Sequence, residues 1–215
     1  SNPPILIFSP ARRVRNNTTK DTLENAKEIK EVVINVVTHE IIEQMTLTSL
    51  EYKSTVDEFE KASLTHLKSE LIKPFRVKES PIQFECKIND IISLGQNGGA
   101  GNLIICEVLL IHINKDILDK QNNIDPKKLN LVGRLGFDWY LKSDTHSLFE
   151  IKKKNIPEIT IDDLPKSIKN STIFSKNDLV KLLSLKLKPK IGEIEELKKD
   201  PNISKLLNTE NNKEI

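Results

Sequence analysis

The chain has 215 residues, of which 37% are hydrophobic and 30% charged, and its formal net charge is +2 at pH 7. This composition fits one sizeable globular domain with a small appendage, and it excludes collagenous and broadly disordered chains. It also argues against a nucleic-acid binder: residues 1–150 carry 19 Lys and Arg against 21 Asp and Glu, and the more basic tail, 14 against 10, has no dense arginine run and a single aromatic residue, Phe174.

In chain order, Ile5–Phe8 is predicted as a short strand led by Pro3 and Pro4. The chain thus opens inside a strand and without a methionine, so a segment is expected to be missing upstream. A basic loop follows, with Arg12, Arg13, Arg15 and Lys20. Thr22–Lys30 reads as a helix capped by Asp21 or Thr22, Asp21 and Glu24 having the spacing of a capping box. Glu31–Val37, EVVINVV, is β-branched and apolar and predicts a buried strand. His39–Leu50 returns to helical spacing, Val56–Ala62 predicts a helical turn, and Lys68–Lys78 is irregular around Pro74.

Pro81–Leu94 alternates in its first half, with Ile82, Phe84, Cys86 and Ile88 on one face and Gln83, Glu85, Lys87 and Asn89 on the other. That pattern predicts a half-buried antiparallel strand. Asn102–Asn114 is apolar almost throughout and should be central. GQNGGAG at Gly95–Gly101 joins the two as a hairpin. A short helix is predicted at Pro126–Asn130 and a strand or turn at Gly133–Tyr140. Beyond Ile151, helices are predicted at Pro165–Asn170 and at Asp178–Leu185, the latter capped by Asn177. The end of the chain, TENNKEI, is expected to fray. The result is a mainly β core with peripheral helices, closer to a barrel than to a βαβ sheet. Residues 3–150 form the main domain and 151–215 a helical extension.

Few residues point to chemistry. Four cations before a helix start can hold a phosphate: a guanidinium fork, a lysine and free helix N–H groups all suit a doubly charged monoester. The alternative is a solvated basic loop before an ordinary helix. Gly95–Gly101 fits neither GxGxxG nor a P-loop, since a strand follows it. The four histidines show no metal spacing, and His112 on a strand reads as structural. Glu107, in an apolar strand, must be paired across the sheet or lie at an interface. No nucleophile triad or paired-carboxylate motif is present. Cys86 and Cys106, each in an apolar run, read as buried reduced thiols in a reducing cytoplasm. No apolar run reaches the roughly 18 residues of a membrane span. Trp139 and Tyr140 are read as packing aromatics, or as a platform for a flat ligand.

The order of these pieces resembles one family. PPILIFSPARRVR, KDTLENAKE, EVVINVVT, DEFEKASLT, SPIQFECKI, GNLIICEVLLIHI, IDPKKL and VGRLGFDWY are similar to landmarks of the flavin reductase-like family over residues 3–150. The later LPKSIKNSTIFSKNDLVKLL resembles an extension found in some members. The resemblance implies an FMN-binding split barrel, a homodimer, and NAD(P)H as co-substrate. It implies that Ser9, Arg12 or Arg13, Lys20, Asp21 and Thr22 lie at the FMN phosphate. Members carry a Gly-Gly pair before the aromatic of GRLGFDWY, where this chain has Gly136 followed by Phe137. They also carry early barrel strands before the position of Pro3, and this chain is expected to lack them. Three functions follow from the resemblance: a flavin reductase or related oxidoreductase, a non-catalytic FMN-binding electron carrier, and a structural remnant without flavin.

Overall fold

The computed structural model describes residues 2–151, 161–183, 191–201 and 204. The chain divides into two compact units, Ser1–Phe149 and Glu150–Ile215.

The first unit is built on one antiparallel sheet. Its strands are β1 (Ile5–Phe8), β2 (Glu31–Asn35), β5 (Ile82–Ser93) and β6 (Asn102–Ile113), in the spatial order β1-β6-β5-β2. The long hairpin β5–β6 is its centre, as the near-continuous apolar run of β6 predicts. Two short ribbons accompany it. One is β3 (His66–Leu67) with β4 (Arg76–Val77), the latter within Lys68–Lys78, read from sequence as irregular. The other is β7 (Val132–Gly136) with β8 (Trp139–Lys142).

The helices are α1 (Asp21–Ile29), α2 (Ile42–Thr48, entered through a 3-10 turn at His39–Ile41), α3 (Glu58–Lys61) and α4 (Pro126–Leu129). Asp57 and Asp125 cap α3 and α4, their side chains accepting from the amides of Phe59 and Lys127. The cap expected for α1 is absent. Lys20 occupies the cap position in extended conformation with no side-chain bond to the helix, and Asp21 is already helical. The helix ends at Lys30, which takes a left-handed conformation (φ 61°) and returns its amide to the Ala26 carbonyl.

Leu23 and Ala26, three apart on α1, press the helix onto the sheet. They meet Cys86, Ile88, Ile104 and Cys106 in the main core, with Phe8, Val32 and Ile34 at its margin. Both cysteines are fully buried and unbridged, and burial pushes the Cys86 thiol up to about 12, so it stays a thiol. A second cluster joins Ile82, Ile117 and Leu129.

The strand expectation needs one correction. Gln83 and Glu85 do not face solvent: both are buried, Glu85 completely. The segment running through β3 and β4 folds over that face of β5. Glu85 accepts from the Glu70 and Leu71 amides at 2.8 and 2.7 Å, and His112 Nε2 lies 2.7 Å from its Oε1. Arg76 Nε approaches the same oxygen at 3.6 Å, while Arg76 Nη1 donates to Gln83 Oε1 at 3.0 Å. His112 is therefore structural, as read. Glu107 pairs across the sheet through Asn89 Nδ2 at 3.5 Å.

In the second unit, α5 spans Lys166–Lys169, α6 Lys176–Leu183 and α7 Ile191–Leu197. Asn177 lies inside α6 and does not cap it. Ser175 takes that part: its Oγ accepts from the Asp178 amide at 3.2 Å, and the Asp178 carboxylate accepts from the Ser175 amide at 3.1 Å. The end of the helix expected to run to Leu185, and the TENNKEI terminus, lie outside the described residues. Among the described residues, no helix is long and apolar enough to cross a membrane.

Candidate functional site

Residues 9–20 connect β1 to α1 as a loop folded on itself. Arg12 donates from Nε to Asn17 Oδ1 at 2.7 Å and from Nη2 to the Asn17 carbonyl. Arg13 donates to the Thr18 hydroxyl at 3.2 Å and to the Thr19 carbonyl. Its Nε lies 3.1 Å from Glu51 Oε1, with Arg15 at 3.9 Å from the other oxygen. Both Arg12 and Arg13 thus spend donors on the loop's own shape. Lys20 does not: it is exposed, with no ion pair among the described residues.

The glycine-rich turn between β5 and β6 holds this loop from outside. The Arg12 amide donates to the Ala100 carbonyl at 2.8 Å, and the Gly99 amide to the Arg12 carbonyl at 3.0 Å. Asn17 Nδ2 reaches the Gln96 carbonyl at 2.9 Å, and Asn102 Nδ2 the Pro10 carbonyl at 3.0 Å. Contact is close enough that a Cβ on Gly98 would stand 2.8 Å from the Val14 carbonyl oxygen. GQNGGAG is the hairpin turn its sequence predicts. It is also the cradle of the basic loop, and no local pattern signals a partner so distant in the chain. Gly98→Ala is expected to lower stability by about 1 kcal/mol, the low end of overpacking because the site is a surface loop. A thermal melt checks it, and an unchanged midpoint would mean that the loop yields freely.

At the start of α1 the Leu23 and Glu24 amides turn onto the Lys20 carbonyl, at 2.9 and 3.4 Å. The Asp21 and Thr22 amides have no backbone acceptor among the described residues. Two amides without a backbone acceptor, at the positive end of the helix, and Lys20 therefore lie at one place.

That place is a polar cleft of about 600 Å³. Arg13, Arg15, Lys20, Thr22, Ser49 and Tyr52 line it, together with the carboxylates of Asp21, Glu51 and Glu58. A second, mainly apolar cleft of about 630 Å³ lies along the other flank of Thr22, lined by Ile29, Val32, Met45, Phe59 and Phe75. Thr22, Thr48 and Glu58 line both, so the two clefts meet there. Each is within the range of small-molecule sites, about 300–1,000 Å³. Of the six residues singled out from sequence, Arg13, Lys20, Asp21 and Thr22 share the polar cleft. Ser9 and Arg12 do not line it: the Ser9 hydroxyl lies against Gly101 and Arg12 binds Asn17. Sequence reading missed Ser49, Tyr52, Thr48 and Glu58, which come from α2, the segment after it and α3. The helical reading of His39–Leu50 covered Thr48 and Ser49, and DEFEKASLT covered Glu58, but neither marked them as site residues. Burial pushes the Glu58 carboxyl above its usual range, and Asp21 and Asp57 add to the effect.

The flavin reductase like domain matches residues 1–129. The chain belongs to this family. The family is a flavin-related oxidoreductase class, and the fold is its split barrel with peripheral helices. An uncharacterized protein of Aquifex aeolicus (strain VF5) is 38% identical over 141 residues, 66% of this chain and 69% of that one. Among solved structures, nitrilotriacetate monooxygenase component B from Bacillus cereus is 30% identical, with a TM-score of 0.63 over 70% of this chain and 73% of that one. A candidate flavin reductase with a split barrel domain from Shewanella frigidimarina NCIMB 400 is 25% identical, with a TM-score of 0.59 over 71% and 72%.

The β7–β8 hairpin stands apart from the clefts. Arg134 donates to the Tyr140 hydroxyl at 2.9 Å and lies over its ring, while Phe137 (φ 48°) and Trp139 are exposed. Among the described residues, no group of three or more His, Cys, Asp and Glu could hold a metal ion.

Proposed function

We propose that this chain binds FMN and passes reducing equivalents from NAD(P)H to a flavin or another acceptor. One observation supports the reading: a polar cleft with Lys20 and two unpaired amides at a helix start meets an apolar cleft at Thr22, Thr48 and Glu58. The residues present fit the cofactor. Lys20 and the Asp21 and Thr22 amides suit the phosphate, with Arg13 holding the loop around it. Val32, Phe59, Met45 and Phe75 suit a flat ring system. When bound, the flavin supplies hydride transfer, and the protein supplies binding, orientation and electrostatics. The absence of an acid–base dyad in the sequence agrees with this division of labour.

A homodimer in the cytoplasm belongs to the same proposal. The half-exposed Leu109, Ile111 and Ile113 on β6 offer an apolar face for a second copy, and two unbridged thiols suit a reducing compartment. The test is a visible spectrum after incubation with FMN and desalting, followed by NADH and NADPH oxidation with free flavin as acceptor. The expected result is a retained flavin band with steady turnover. A retained band without turnover would favour an electron carrier. A colourless protein would reject flavin binding.

A further inference from the structure

The β7–β8 hairpin takes no part in either cleft, yet it is the most apolar exposed feature of the first unit. Its two-residue turn, Phe137–Asp138, holds Phe137 at φ 48°, a left-handed conformation that glycine adopts freely and a bulky residue does not. Phe137 is also 91% exposed, so its side chain gains little packing in return for that strain. In the hairpin's register Arg134 stands opposite Tyr140 and lies over its ring, which fills one face. The other face carries Leu135, Trp139 and Leu141, exposed by 69, 74 and 52%, with Phe137 at the tip. A two-stranded ribbon with an uncovered apolar face is marginal in water. Trp139 is the chain's single tryptophan, and tryptophan is enriched at the energetic centres of protein contacts.

A second surface on the same unit indicates what covers it. Leu109, Ile111 and Ile113, alternate residues of β6, form a half-exposed apolar strip. Hairpin and strip are both exposed, so neither covers the other within one copy. Their exposed apolar side chains together come to on the order of 800 Å², the area that one partner buries in a standard-sized interface. A two-fold pair is self-complementary, so a hairpin seated on the strip of a second copy is matched by the reciprocal contact, and both surfaces are covered at once. A lipid surface is the poorer occupant, because Asp138 at the tip would carry a carboxylate into hydrocarbon.

We infer that the β7–β8 hairpin is an arm that seats Phe137 and Trp139 on the Leu109–Ile113 strip of a second copy of this chain. The inference rests on the homodimer proposed above and deepens it, by naming the other half of the contact. The strained turn then serves a contact that one copy by itself does not contain.

The test is sedimentation of the full chain over a range of concentrations, with Trp139 emission read on the same samples. The mass is expected to double as concentration rises, and the emission to shift to the blue with it. Phe137→Gly is expected to raise the dimer Kd about thirtyfold, as for an interface hot spot. The thermal midpoint of the dilute, monomeric variant should stay or rise, because glycine fits the left-handed turn. Ile111→Ser should also raise the Kd, and the double variant should lose about as much as the worse single one, since both remove the same contact. A dimer whose Trp139 emission does not shift, or whose Kd is unmoved by Phe137→Gly, places the second copy on another face: the inference falls and the homodimer stands. Multiplying effects of the two substitutions mean that hairpin and strip do not touch. A lower midpoint for Phe137→Gly marks a side chain that packs within its own copy. A chain that stays monomeric rejects the inference and the homodimer together, and a blue shift of that monomer on phosphatidylserine vesicles assigns the hairpin to lipid. The flavin reading is untouched by each of these results.

Discussion

Replacing Glu85 with alanine is expected to cost about 3–5 kcal/mol of stability, the range for removing one partner of a buried ion pair. Glu85 is fully buried, and four groups converge on it: two amides, His112 and Arg76. Its removal orphans the Glu70 and Leu71 amides and leaves the buried Arg76 guanidinium without its counter-charge. Urea unfolding followed by circular dichroism measures the effect, and a loss below about 1 kcal/mol would show that water replaces the carboxylate without penalty.

The same group gives a pH dependence. Burial pushes the Glu85 carboxyl up, but the Glu70 and Leu71 amides and His112 together hold it below its usual value. A carboxyl lowered in the folded state stabilises above the unfolded value of about 4.3, and that contribution is lost as the pH falls through the folded value. The unaltered chain should therefore lose stability steeply below about pH 4, and Glu85→Gln should flatten that part of the profile. Parallel profiles for the two proteins would contradict the assignment.

Reversing charge at Lys20 is expected to have the largest effect on ligand binding. Under the proposed function, Lys20→Glu replaces the cation assigned to the FMN phosphate with an anion, so Kd should rise about a hundredfold at low salt. Riboflavin should bind as before, because it has no phosphate. The FMN defect should shrink as ionic strength rises, since Lys20 is exposed and its interactions are screened over about 10 Å at 0.1 M salt. An equal loss for both ligands would place the effect on the loop fold and not on the phosphate. The contrast with Arg12 is informative: that side chain is tied to Asn17, so Arg12→Ala should weaken the loop's shape before it touches the ligand.

How much of this was legible in the sequence depends on the range of the interaction. Short-range chemistry was readable. The apolar run of β6, the glycine turn and the helix of DTLENAKE each announce themselves through period or composition, and each is found close to its predicted bounds. The cations of SPARRVRNNTTK marked a loop for attention, and Arg13, Lys20, Asp21 and Thr22 line one cleft. What could not be read is which donors are free. Arg12, Arg13 and Lys20 are equivalent as letters, and only the folded loop shows that Asn17, Thr18 and Glu51 engage the two arginines and leave the lysine.

Residues such as Gln83 and Glu85 show the same limit on the strand. Alternation tells that a strand has two faces, but not that a distant segment will cover the polar one. The sequence by itself therefore determined the order of elements, the central hairpin and the position of the cationic loop, because backbone propensity and hydrophobic period act over a few residues. Tertiary structure alone decided the buried Glu85 network, the glycine cradle and the meeting of the two clefts at Thr22, Thr48 and Glu58. Those features are made by side chains far apart in the chain, and hydrogen-bond partners and desolvation exist only once packing has brought them together.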